Sequence, residues 1–247
     1  MRHHGGMIMG LPTGVAQEFY GRLAAVWGDR GPVLDIGSGS GVVAAELHRH
    51  GVPVVQLDPV DNRGDAAGKI PYLHADGCAL PFRRGSCAGV HLARVLAHVP
   101  DWRRATAEAV RVLAPGGAIA VDLGDRPRSG PHAALTGDLV RLAAELGLRE
   151  SQPPGDPLHD RAVDGRMGEL GCGDPELIET GATVEVSLRE TADGLVRSRY
   201  RWAPGTDHGL LAKLADQLLA GLETDPDAPV PLRRSARYRV YRMLPAG

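Results

Sequence analysis

The stretch "VLDIGSGSG", Val33 to Gly41, places Val33, Leu34 and Ile36 around a single carboxylate and then sets glycine at every second position. The aliphatic run around Asp35 predicts a buried strand. Gly37, Gly39 and Gly41 predict a turn in which a ligand can approach the main chain closely. A dinucleotide fingerprint would read G-x-G-x-x-G, whereas here Val42 follows Gly41 and the spacing is G-x-G-x-G. Asp35 stands at the strand end just before the turn, where it would repel a pyrophosphate. It suits a ligand with a positive group, such as an α-amino group.

Working outward, strands and helices alternate. Apolar spacing predicts a helix over 15–28, with Phe19, Leu23, Val26 and Trp27 on one face. After the glycine turn, "SGVVAAELHRHG" reads as a helix ended by Gly51, with His48 and His50 in its last turn. "VPVVQLD", "IPYLHAD", "CAGVHLARVL" and "GGAIAVDL" read as further strands, and "DWRRATAEAVRVL" as the helix before the last of them. Alternation of this kind implies parallel pairing with right-handed crossovers, an α/β doubly wound sheet. Its ligand should lie beyond the carboxyl ends of the strands. Asp35, Asp58, Asp76 and the segment Arg94–His98 are therefore the informative polar positions.

The remainder changes character. Helix signals cover 133–147, a Pro/Gly-rich loop is expected over 151–174, and a leucine-faced helix covers 209–222. "ATVEVSLRE" and "SARYRVYRML" alternate like strands and suit an antiparallel edge of the same sheet. One domain is expected, with its core at about 15–123 and 174–247 and lid segments at about 124–173 and 192–235. The lid would offer Leu135, Leu139, Leu142, Met167, Tyr200, Trp202, Leu210 and Leu214, a stripe that also suits ordinary core.

Composition narrows the function. The 247 residues are 43% hydrophobic and 23% charged with a net charge of −2, a balance that argues against a nucleic-acid groove. No run approaches the roughly 18 apolar residues of a membrane span, and "MRHHGGMIMGLP" lacks the apolar stretch of a signal peptide. His3 and His4 read as a terminus and no metal site is expected. Cys78, Cys87 and Cys172 are odd in number without C-x-x-C spacing, as in a cytoplasmic protein with reduced thiols.

Asp58 ends the second strand, 23 residues after Asp35, where an acid can accept from both hydroxyls of a ribose; "DPVDN" also suits a turn-capping acid. Adenosine joined to a cationic amino-acid tail describes S-adenosylmethionine. "VLDIGSGSG" resembles motif I of the class I S-adenosylmethionine-dependent methyltransferases, and "VVQLD" resembles their second-strand acid. "HADGCALPF", "RVLAHVPDW" and "RVLAPGGAIAVDL" resemble, in order, three further segments of the branch that includes ubiquinone and menaquinone biosynthesis enzymes. The resemblance covers roughly residues 30–125. Ala97 and Ala114 depart from it, standing where many relatives carry a histidine and a lysine.

The resemblance implies a Rossmann-like sheet of seven strands, mostly parallel with an antiparallel edge, in three layers with helical lid insertions. It also implies roles for particular residues. The backbone of Gly37, Ser38, Gly39 and Gly41 would lie against the ribose and methionine moieties of the cofactor, with Asp35 near the amino group. Asp58 would hold the ribose hydroxyls, and Asp76 the adenine amine, although Asp76 also suits a turn cap. Gly77 and Cys78 would supply backbone contacts, and Ala93 and Arg94 would flank the methionine moiety.

Methyl transfer needs alignment and exclusion of water, and a base only where the acceptor must lose a proton. His98 is the candidate base; a loop-binding histidine is the alternative. His91 reads as core, while His132, His159 and His208 fall in the lid segments. The expected activity is methyl transfer to a small O-, N- or C-acceptor in secondary metabolism, leaving S-adenosylhomocysteine. A cofactor-binding member with a non-methylating step such as cyclisation, or a non-catalytic binding module, is the alternative. No nucleic-acid or membrane partner is expected, and the chain would act as a monomer or homodimer.

Overall fold

The computed structural model describes residues 7–124, 129–148, 158–198, 202–203 and 205–244. His3, His4 and Tyr200 lie outside the described residues. A short hairpin, β1 (Met7–Ile8) and β2 (Leu11–Pro12), leads into helix α1 (Thr13–Ala24). Next come β3 (Val33–Ile36), α2 (Val42–Arg49), β4 (Val54–Asp58), β5 (Tyr72–His74), β6 (Cys87–Ala93), α3 (Trp102–Val112) and β7 (Leu113–Asp122). The chain continues through α4 (Pro131–Glu145), α5 (Asp160–Glu169), β8 (Glu176–Ser187), α6 (Leu188–Val196), α7 (His208–Ala220) and β9 (Pro229–Arg242).

Seven strands form one sheet in the order β5-β4-β3-β6-β7-β9-β8. The ladders from β5 through β7 are parallel, and β9 runs antiparallel to β7. This is the expected α/β doubly wound arrangement with an antiparallel edge. The chain works outward from β3 in one direction, then returns to place β6 on its other side. A reversal of strand order leaves a crevice at the carboxyl ends of the two central strands, β3 and β6.

Successive residues of each strand face opposite sides, so the apolar runs feed two cores. On one side Val33, Ala118, Ala120 and Val240 pack with Phe19 and Leu23 of α1 and Leu47 of α2. On the other, Leu34, Ile36, Leu92, Ile119 and Val121 pack with Ala105 and Ala109 of α3. Helices thus cover both faces, giving three layers. Gly89 in β6 is required by packing: the Trp27 indole lies where its Cβ would stand, and the indole N–H donates to Ala118 O at 2.9 Å.

The chain divides into two compact units. The first comprises residues 1–125, 156–181 and 235–247, and the second comprises 126–155 and 182–234. The second has its own core, in which Leu135 and Leu139 of α4 meet Leu188 of α6, Leu211 and Leu219 of α7, and Trp202. No helix among the described residues is long and apolar enough to cross a membrane.

Two elements differ from the sequence expectation. The segment expected as a loop over 151–174 contains helix α5. Its two glycines, Gly165 and Gly168, weaken helix propensity, but tertiary contacts hold it. His159 caps it by accepting from the Ala162 amide, and Val163 and Met167, one turn apart, are fully buried. Asp164 accepts two hydrogen bonds from Arg239, at 2.8 and 2.6 Å, and one from the Tyr241 hydroxyl at 2.8 Å. The strand expected through "SLRE" ends at Ser187, where α6 begins. Ser187 and Glu190 form a reciprocal capping box, each side chain accepting from the other residue's amide at 3.0 and 2.8 Å.

The α5 packing makes Met167 a test of that helix. Met167→Ala is expected to cost about 2–4 kcal/mol, the range for emptying a core site, as read from urea unfolding. A solvent-facing loop would lose almost nothing.

Candidate functional site

The turn after β3 is held from below by β4. The amides of Gly37 and Ser38 both donate to Leu57 O, at 2.7 and 3.1 Å, and the Gly41 amide donates back to Ser38 O at 2.8 Å. Gly37, Gly39 and Gly41 all adopt positive φ, +70°, +52° and +74°. Their surroundings differ. A Cβ on Gly41 would overlap Gln56 Oε1 and Ala67 Cβ, so this glycine is demanded by packing. A Cβ on Gly39 would meet nothing within 4 Å, so this part of the turn faces open space.

Asp58 closes the arrangement. It is 8% exposed; its Oδ2 accepts from the Gly39 amide at 3.0 Å and its Oδ1 from the Val60 amide at 2.9 Å. The turn-cap reading of "DPVDN" is therefore realised. A carboxylate offers about four lone-pair sites, so two backbone donors leave it capacity for further hydroxyls.

Asp35 is 3% exposed, and its Oδ1 lies 2.6 Å from His91 Nδ1. His91, read as core from the sequence, is fully buried and reaches the Tyr238 hydroxyl with Nε2 at 2.7 Å. Asp35 Oδ2 and Ser38 Oγ are buried atoms without a hydrogen-bond partner. Buried polar atoms are almost always paired. Two unpaired acceptors at the glycine turn fit a ligand that brings donors and a positive group.

The other candidates gather at the same strand ends. Asp76 is exposed beyond β5 and accepts from the Cys78 amide at 2.8 Å. Gly77 lies against Ile36, and the Cys78 thiol, its pKa pushed up by burial, donates to Asp101 O at 3.3 Å. Ala93 ends β6, and Arg94 follows at φ +54°, one of two non-glycine residues with positive φ among those described. Such strain concentrates at functional sites. The Arg94 amide donates to Asp122 O at 2.6 Å, and the side chain of neighbouring Val95 fills the space above Gly37.

His98 is exposed on the turn after β6, its amide donating to Val95 O at 2.8 Å. The histidines of the expected lid segments make local contacts. His132 meets Thr191 Oγ1 at 2.8 Å, His159 caps α5, and His208 Nδ1 lies 2.7 Å from Val196 O. No three His, Cys, Asp or Glu side chains among the described residues group as a metal site. The His91–Tyr238 link to Asp35 and the strained Arg94 backbone were beyond sequence reasoning, because partners 56 and 147 residues away leave no local pattern.

The contrast between the glycines is testable. Gly41→Ala should lower stability by about 2–4 kcal/mol, combining overpacking with left-handed strain. Gly39→Ala should cost about 1–2 kcal/mol, from strain alone. Equal losses in urea unfolding would remove the distinction between a packed and an open glycine.

Residues 34–121 match the family model of a methyltransferase domain. An uncharacterized methyltransferase of Mycobacterium sp. (strain JLS) is 41% identical over 90 residues, 34% of this chain and 35% of that protein. The demethylmenaquinone methyltransferase of Renibacterium salmoninarum is 32% identical over 139 residues, 53% of this chain and 57% of its own length. Against these two curated relatives the chain thus spans from about a third to just over half of their length. Among solved structures, the [4+2]-cyclase SpnF superposes with a TM-score of 0.56 at 16% identity, covering 100% of this chain and 89% of that one, a likeness of fold. Residues 34–121 are thus similar to a methyltransferase domain, and the chain is similar over part of its length to demethylmenaquinone methyltransferases.

Proposed function

We propose that this protein transfers a methyl group from S-adenosylmethionine to an O-, N- or C-atom of a small organic acceptor in secondary metabolism, releasing S-adenosylhomocysteine. The observation that carries the reading is the glycine turn at the strand-order reversal. There Asp58 accepts from the Gly39 amide while Asp35 Oδ2 and Ser38 Oγ stay buried and unpaired. An adenosine with an ammonium tail brings the donors these atoms lack.

In this reading Asp35 binds the amino group, and the Gly37–Gly41 backbone lies along the ribose and methionine moieties. Asp58 accepts from the ribose hydroxyls with the lone pairs its backbone donors leave. Asp76 takes the adenine amine, beside the main chain of Gly77 and Cys78. Ala93 and Arg94 border the methionine moiety. When bound, the cofactor supplies a methyl group already activated on a sulfonium sulfur. The chain's task is then to align and to exclude water, and orientation alone can remove several kcal/mol from a barrier.

His98, on the turn after β6, is the residue to which we assign proton removal from an acceptor that must be deprotonated. Free thiols at Cys78, Cys87 and Cys172 support a reducing, cytoplasmic setting. The near-neutral charge supports a small-molecule acceptor over nucleic acid.

Calorimetry tests the reading at its base. S-adenosylhomocysteine should bind and NAD should not. Asp58→Ala should weaken that binding by about 1.5–3 kcal/mol, the worth of hydrogen bonds to a charged acceptor. NAD binding with no S-adenosylhomocysteine signal would overturn the cofactor assignment. His98→Gln should lower turnover by about 10²–10⁴-fold while leaving cofactor affinity unchanged; near-normal turnover would remove His98 from the chemistry.

A further inference from the structure

We propose that His91, held by Tyr238, is a positioning residue that fixes the Asp35 carboxylate and so makes the site select ligands that carry an amino group. The inference rests on the reading of Asp35 given above, and goes beyond it by assigning the selectivity to a buried chain remote from the ligand.

The sheet register builds this chain. Asp35 on β3 stands directly beside His91 on β6, and His91 stands beside Ala120 on β7. Side chains at one register level share a face of the sheet, so Asp35 and His91 meet sideways. The small Ala120 side chain leaves room next to the imidazole, and the Tyr238 ring from β9 occupies it, 5.2 Å from the His91 ring centre. Trp27 closes another side edge-on at 6.4 Å. His91 is 0% and Tyr238 1% exposed.

Donor and acceptor roles follow from chemistry. An ionised carboxylate only accepts, so the ring nitrogen facing it, Nδ1, carries the proton. Burial pushes the Tyr238 phenol well above its ordinary range, so its O–H is intact and can donate to Nε2. The imidazole is thereby held at both nitrogens, and it holds one oxygen of Asp35.

The other oxygen tells why. A carboxylate buried merely for stability would have both oxygens satisfied, since an unpaired buried acceptor is costly and an apolar replacement would serve the fold as well. Here Oδ1 is tied at 2.6 Å while Oδ2 is buried without a partner. A fixed Oδ1 also fixes Oδ2, because the carboxylate is planar. The result is one acceptor set in place before the ligand arrives, which is how a supporting hydrogen bond sharpens a binding group. A ligand without the amine leaves that acceptor unpaired and gains nothing from the chain behind it.

The test compares S-adenosylhomocysteine with its deaminated analogue, which keeps the adenosine and carboxylate and lacks only the amine. Both would be titrated into the wild-type protein, His91→Phe and Tyr238→Phe, with folding checked by circular dichroism. His91→Phe should weaken S-adenosylhomocysteine about tenfold and the analogue less than about twofold, in line with loss of one supporting hydrogen bond to a charged group. Tyr238→Phe keeps the ring and its packing, so it remains a test if His91→Phe does not fold. It should act in the same sense, by about threefold. Equal weakening of both ligands, or unchanged S-adenosylhomocysteine affinity in a folded variant, would overturn the positioning role. If the wild-type protein bound neither ligand, the cofactor reading itself would fall. If it bound both alike, the pairing of Asp35 with the amine would fall, and the selectivity proposal with it.

Discussion

The hydrogen bond from the Gly39 amide to Asp58 Oδ2 joins the two strand ends on which the rest of the site depends. Three left-handed glycines at alternate positions make a turn that could adopt many conformations in isolation, because glycine loses more backbone freedom on ordering than any other residue. Leu57 O and the Asp58 carboxylate remove that freedom by collecting the amides of Gly37, Ser38 and Gly39. Gln56, one residue earlier, is pinned by hydrogen bonds to Ala67 O and Ile70 O, and its amide oxygen fills the space at Gly41. Three successive residues of β4 therefore set the shape of the turn that follows β3.

The sheet makes this economical. Parallel β3 and β4 are in register, with Ile36 beside Leu57, so the turn leaving one strand falls naturally over the end of the next. Both strands pack apolar side chains on each face, and Asp35 and Asp58 bring carboxylates to their carboxyl ends. Arg94 at φ +54° extends the same logic to β6, since a strained residue persists only where its surroundings over-determine it. The hydrogen bond its amide donates to Asp122 O is part of what does so.

The strand–helix alternation and the carboxyl-end acids were legible because both signals are local. The buried strand follows from the aliphatic run Val33–Ile36, whose four residues are all buried, and the turn from glycine spacing. Helix α5 was not, because Gly165 and Gly168 dilute its pattern and its stability comes from Arg239 and Tyr241, some 75 and 77 residues away. Helix α6 was hidden for a different reason. "VEVSLRE" alternates through Ser187, and only the pairing of Ser187 with Glu190 turns the end of a strand into the start of a helix. In the site, the acids were legible but not their partners. Asp35 reads as a ligand group from its place before the glycines, while its bond to His91 depends on strand register that no single segment encodes.

The central claim is that the turn Gly37–Gly41 and the Asp58 cap receive the adenosyl cofactor. Amide hydrogen exchange with and without S-adenosylhomocysteine tests it most directly, because the relevant donors are backbone groups. The account predicts slowed exchange over residues 36–41 and 58–60 when the ligand is added. Unchanged exchange there, with protection confined to another part of the chain, would contradict it.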